Sequence, residues 1–118
     1  MASLGKSGAE GLTINSEKRG NAVIVTPVGD IDLAGSPTLR AELKKLQTGA
    51  ALTVINLAQV PYMDSSGVAT LVEAMQIARR SNSKLVLCAM QDRVRSIFEI
   101  ARLNTVFTIV DSLETALK

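Results

Sequence analysis

Two periods of apolar residues, one of strands and one of helices, alternate along the chain. Leu12-Thr13-Ile14 alternates as a half-buried strand would, Glu17-Lys18-Arg19-Gly20-Asn21 supplies turn chemistry, and Ala22 to Val28 is rich in β-branched residues. The two runs predict a hairpin. Pro27 has no amide donor and is expected at a strand end or on a sheet edge. Ser36-Pro37 reads as a helix start, with serine as the cap and proline at the first helical position; Leu39, Leu43 and Leu46 share one face, and Gly49 closes the helix. Leu52 to Leu57 is apolar on both faces, as a central parallel strand covered by helices would be. Val68, Leu71, Val72 and Met75 give the spacing of an amphipathic helix that ends around Arg79-Arg80-Ser81-Asn82. Lys84 to Ala89 is a further buried strand, Val94, Ile97, Phe98 and Ala101 a third helical stripe, and Val106 to Val110 a last strand. Asp111-Ser112-Leu113-Glu114 has capping-box spacing ahead of a short terminal helix.

The order β-β-α-β-α-β-α-β-α predicts an α/β fold, a mixed sheet of about five strands with an N-terminal hairpin, parallel in its later part, and about four helices packed on it through right-handed crossovers. A doubly wound receiver-like domain is the competing arrangement, but it begins with a single strand carrying acidic residues at its end. This chain begins with a hairpin and places Gly29 at the end of its second strand. Residues 1–10 mix Gly, Ser and Ala with no period and are expected to form a mobile tail, leaving a single domain over 11–118. Gly5-Lys6-Ser7 is not a phosphate loop, because the second glycine and the preceding strand that such a loop needs are missing.

Composition narrows the function classes. The 118 residues carry 13 Lys and Arg against 11 Asp and Glu, and aromatic residues make up only 3%, so direct nucleic-acid binding is not expected. Histidine is absent, which removes Ser-His-Asp and Cys-His catalysis and the commonest zinc ligand. No metal-ligand cluster and no glycine-rich cradle stands out, so neither an enzyme nor a cofactor is expected. Cys88, the sole cysteine, lies in the apolar run Leu85-Val86-Leu87-Cys88 and reads as a small buried hydrophobe. No apolar run approaches the roughly 20 residues of a membrane helix, and nothing suggests export, so the expected location is cytoplasmic, without membrane insertion.

The candidate chemistry lies at Asp64-Ser65-Ser66-Gly67, where a strand gives way to a helix. A helix N-terminus exposes unpaired N–H donors and roughly half a positive charge, so an anion there is stabilised and a serine there could receive a phosphate. The same residues are also ordinary helix caps. Ser65 and Ser66 both stand there as candidate acceptors; a Ser66 hydroxyl spent on the cap would be less available, which would favour Ser65. Asp32 reads locally as an Asx-type turn or cap. Met63, Met75 and Met90 read as core rather than as a pliable partner surface. Arg79 and Arg80 suit a solvated helix end, and Arg93, Arg95 and Arg102 are expected on the surface.

Gly29-Asp30-Ile31-Asp32-Leu33-Ala34, the run from Asn56 to Gly67, and Ala101-Arg102-Leu103 together resemble the STAS domain family, specifically its stand-alone bacterial anti-sigma factor antagonists, over about residues 11–118. The resemblance implies a protein that binds an anti-sigma factor which is also a serine kinase and so frees a sigma factor for transcription. It implies phosphorylation of one serine by that kinase, loss of binding, and restoration by a serine phosphatase. Carried onto this sequence, the phosphorylated residue is Ser65, with Asp32, Asp64, Ser66 and Gly67 in the partner-binding region. Many members have Asp-Leu where Asn56-Leu57 stands and a polar pair where Ala58-Gln59 stands; Asn56 is expected to keep the loop's shape by local hydrogen bonding. STAS domains also serve as small subunits of lipid or anion transport assemblies, which gives the alternative function. Weak self-association is left open.

Overall fold

The computed structural model describes residues 6–7 and 11–118. In chain order it contains strands β1 (Lys6–Ser7), β2 (Thr13–Arg19) and β3 (Ala22–Val28), helix α1 (Ser36–Gln47), β4 (Leu52–Asn56), α2 (Ser65–Arg80), β5 (Lys84–Cys88), α3 (Asp92–Ile100), a 3₁₀ turn (Leu103–Thr105), β6 (Thr108–Val110) and α4 (Leu113–Ala116). The strands form one sheet in the order β1-β2-β3-β4-β5-β6, antiparallel through β3 and parallel from β3 onward. This is the expected mixed sheet with one short strand added, since Lys6 and Ser7 pair with Ile14 and Thr13. The rest of the segment 1–10, expected as a mobile tail, lies outside the described residues.

The hairpin runs longer than its turn chemistry suggested. Arg19 pairs with Ala22, so only Gly20 and Asn21 turn, and Gly20 supplies the positive φ of 60° at the first central position of a two-residue hairpin. Pro27 occupies a strand end, as expected. The parallel ladder from β3 to β4 stops at Val25, so no donor is needed from Pro27 on that side.

Side chains alternate across the central strands and separate two cores. Val23, Val25, Ile55, Leu85 and Leu87 face the larger one, closed by Leu39 and Leu43 of α1, Leu71, Ala74 and Met75 of α2, and Val94 and Phe98 of α3. Ile24, Val54, Val86 and Cys88 face the other side, covered by Leu113, Ala116 and Leu117 at the terminal helix. The antiparallel start of the sheet and a strand order that follows the chain without a reversal point, with three helices on one face, exclude the doubly wound alternative. Met63, Met75 and Met90 are buried core residues, and desolvation pushes the buried Cys88 thiol up from its ordinary pKa. Phe98 meets Phe107 edge to face at 5.5 Å between ring centres.

Several boundaries differ from the sequence expectation: β5 ends at Cys88 rather than Ala89, and α3 ends at Ile100, leaving Ala101 exposed outside the helical stripe. Ser36 is the first residue of α1 rather than its cap, because Gly35 holds the cap position and Pro37 follows inside the first turn. The last strand begins two residues late, at Thr108, because Leu103–Thr105 winds into a 3₁₀ turn. Ser112 caps α4 by accepting the Thr115 amide at 3.1 Å, so the cap is one residue beyond the Asp111 that opened the expected box. Among the described residues no helix is long and apolar enough to cross a membrane.

Candidate functional site at the start of the second helix

The site is assembled at the carboxyl ends of the parallel strands, where loops leaving a sheet of this kind are free to carry function. Two such loops meet there. Ile31 and Met63 pair as an isolated parallel bridge, reinforced by Ile31 N–H donating to the Tyr62 carbonyl at 3.1 Å and Asp64 N–H to the Ile31 carbonyl at 3.2 Å. Both paired side chains are buried, which fixes the bridge against the core.

Asp64 is the N-cap of α2, with the extended backbone that a cap requires. Its Oδ1 accepts the Ser66 amide at 2.9 Å, the Gly67 amide at 3.2 Å and the Ser66 hydroxyl at 2.6 Å. Its Oδ2 accepts the Leu33 amide at 3.0 Å from the neighbouring loop. The Ser66 hydroxyl, ahead of the Gly67, Ser66 and Leu33 amides and against a partial loss of hydration, holds this carboxyl below the ordinary aspartate pKa. Asp64 is therefore ionised and fully engaged at neutral pH.

The bonding separates the two serines. Ser66, half-buried, directs its one hydroxyl proton to Asp64, whose carboxylate can only accept. Its oxygen also lies 2.9 Å from Ser36 Oγ, which sits 2.7 Å from the Asp32 carbonyl, so Ser36 has one proton to divide between two acceptors. Ser65 is exposed, and its hydroxyl takes no hydrogen bond among the described residues. The cap bond that was allowed for Ser66 belongs to Asp64. The helix end is likewise less open to an outside anion than the sequence implied, because the Ser66 and Gly67 amides are already occupied by a carboxylate.

Gly67 is required by contact. A Cβ there would lie 2.6 Å from the Ile31 carbonyl oxygen and from Met63 Cγ, distances that real side chains do not tolerate. The first turn of α2 thus rests directly on the Ile31–Met63 bridge. Asp32 forms the Asx-type turn considered for it, accepting the Gly35 amide on Oδ1 at 3.0 Å, while its carbonyl receives the Ser36 amide at 2.8 Å. Its loop is brought to the start of α2 through the Leu33–Asp64 and Ser36–Ser66 contacts. Asn56 Oδ1 accepts the Ala58 amide at 3.0 Å, the local bond expected of an asparagine there.

Ser36, read only as a helix cap, and Leu33, read only as part of a motif, belong to the same assembly. For Leu33 the only signal was its place directly after Asp32 in the turn; for Ser36 no signal existed, since its partner lies thirty residues away in sequence. Arg79, Arg80, Arg93 and Arg102 are exposed, and Arg95 contacts Asp111 at 3.5 Å.

The STAS domain model matches residues 13–116. A relative from Listeria monocytogenes, an anti-sigma-B factor antagonist, is 34% identical over 82 residues, covering 69% of this chain and 72% of its own length. An anti-sigma factor antagonist from Mycobacterium paratuberculosis has the same fold, with a TM-score of 0.84 at 20% identity over 95% of this chain and 96% of its own. The Bacillus cell fate determinant SpoIIAA in its phosphorylated form also shares the fold, with a TM-score of 0.70 at 20% identity over 88% and 96% of the two chains. The family match spans both loops of the site and nearly the whole sheet, and the chain belongs to the STAS domain family.

Proposed function

We propose that this chain is an anti-sigma factor antagonist, switched off when its partner, an anti-sigma factor with serine kinase activity, phosphorylates Ser65, and reset by a serine phosphatase. The observation that carries the reading is the contrast between the two serines: Ser65 is exposed with an uncommitted hydroxyl, and Ser66 is bound to Asp64. The relatives support the antagonist role. The reading places the protein in the cytoplasm and makes it the substrate of a reaction whose catalyst lies on another protein.

A phosphate on Ser65 adds roughly −1.5 to −2 charge. The nearest helix donors are held by Asp64, so the new charge stays at the surface beside an ionised carboxylate, and the fold is left intact. A partner surface that accommodated a neutral hydroxyl then meets repulsion and loses hydration without compensation. Losing two decades of affinity takes about 2.7 kcal/mol, within reach of such a charge.

Incubation with ATP and the kinase, followed by mass spectrometry, should place one phosphate on Ser65. Ser65→Ala should take up none, and Ser65→Asp should fold normally yet fail to bind. Unimpaired phosphorylation of Ser65→Ala would sink the assignment.

A further inference from the structure

Leu33 is 76% exposed, an unusual position for a leucine in so short a turn. Nothing about the turn is loose. Ile31 is paired with Met63, the Leu33 amide is bonded to Asp64, and Asp32 bonds the amide of Gly35. Gly35 in turn is seated so closely on Leu12 that a Cβ would lie 2.8 Å from Leu12 Cδ2. Leu33 is thus held out into solvent by a backbone anchored on both sides.

Its location relative to Ser65 follows from the bridge. Ile31 and Met63 pair in parallel, and Leu33 and Ser65 stand two residues beyond them on adjacent segments. The Asp64 carboxylate that caps the helix beginning at Ser65 also holds the Leu33 amide. Tyr62, 39% exposed, precedes the bridge on the Ser65 segment. Asp30, Asp32 and Asp64 contribute the charges of this end, and Asp30 is exposed.

We infer that Leu33 is the apolar anchor by which the anti-sigma factor kinase docks on this chain, entering a socket bordered by cationic groups that complement Asp30, Asp32 and Asp64. The inference rests on the proposed function and adds the recognition element to it. The backbone that presents Leu33 is already held in place before docking, so little order is lost from the chain when the contact forms. A second consequence concerns the kinase. Leu33 and Ser65 are distant in sequence and meet only in the folded domain, so the partner reads a discontinuous surface rather than a linear motif around the serine.

The test uses the anti-sigma factor kinase purified from the source cell and the full chain carrying Ser65→Ala, which prevents turnover during titration. Leu33→Ala in this background should raise the Kd about tenfold to a hundredfold, with the urea midpoint unchanged because the side chain is exposed. Ile100→Ala, a control 85% exposed on another element, should leave the Kd unchanged. In the chain retaining Ser65, Leu33→Ala should lower kcat/KM for phosphorylation, and a peptide spanning residues 58–72 should be phosphorylated at least a hundredfold more slowly than the domain. Unchanged binding by Leu33→Ala, or a peptide as good as the domain, overturns the anchor while leaving Ser65 as acceptor. If the parent chain neither binds the kinase nor is phosphorylated, the proposed function fails and the anchor with it.

Discussion

Replacing Gly67 with alanine sets helix propensity against packing at one position, and the outcome tests the geometry of the site. In an exposed helix the change would stabilise the protein by up to about 1 kcal/mol. Here the added Cβ would lie 2.6 Å from the Ile31 carbonyl oxygen, 2.6 Å from Met63 Cγ and 2.8 Å from Ile31 Cγ2. Met63 could rotate, but the Ile31 oxygen is backbone and is held by the Asp64 amide at 3.2 Å. Relief therefore requires helix and bridge to separate. Overpacking of this kind costs about 1–3 kcal/mol, and a weakened Asp64–Ile31 hydrogen bond adds about 1 kcal/mol. After the propensity gain is subtracted, the net loss is about 1–3 kcal/mol. Urea unfolding followed by circular dichroism should show a midpoint lower by about 0.5–1.5 M at an unchanged slope of about 2 kcal/mol/M. A Gly67→Ala protein as stable as the parent, or more so, would refute the close approach of α2 to the bridge.

Three further changes probe the same assembly and its support. Asp64→Asn should cost about 1–2 kcal/mol at pH 7 through loss of a charged cap shared by two loops. The folded-state pKa of Asp64 is depressed, so its contribution is present above the unfolded value of about 3.9 and is lost as pH falls through the folded value; the stability gap between parent and variant should narrow below about pH 4, and a gap that widens there would contradict the sign. Ser66→Ala should cost about 1 kcal/mol and raise the Asp64 pKa measured by carboxyl NMR titration, since the Ser66 hydroxyl is the largest cause of the depression, while phosphorylation at Ser65 continues. Phe98→Ala, at a fully buried ring in the larger core, should cost about 3–5 kcal/mol in the same urea assay.

Much of the fold was legible because local periodicity and burial agree. The run Leu52 to Leu57 is apolar on both faces and became a central strand whose Val54 and Ile55 enter opposite cores. Val68, Leu71, Val72 and Met75 were spaced for one helical face and line one in α2. The misses were local choices decided at a distance. Ser36 reads as a cap in isolation, yet Asp32 organises the turn so that Gly35 takes the cap and the serine is turned toward Ser66. Val106 reads as strand, yet the preceding 3₁₀ turn delays β6 to Thr108.

The sequence by itself determined the order of elements, the sign and size of the charge, the absence of histidine, and the placing of Asp64-Ser65-Ser66-Gly67 at a strand-to-helix junction. Each depends on residues close together or on simple counts. The tertiary structure decided which hydroxyl is free. Ser65 and Ser66 are equivalent by composition and by position near a helix start. The difference comes from Asp64 reaching Ser66 and from Ser36 arriving beside it, and from a parallel bridge that sets the Leu33 turn alongside. The Asp64–Ser66 contact is local to the cap, but the Ser36–Ser66 contact and the bridge join segments some thirty residues apart and exist only once the sheet has brought the two loops to the same end.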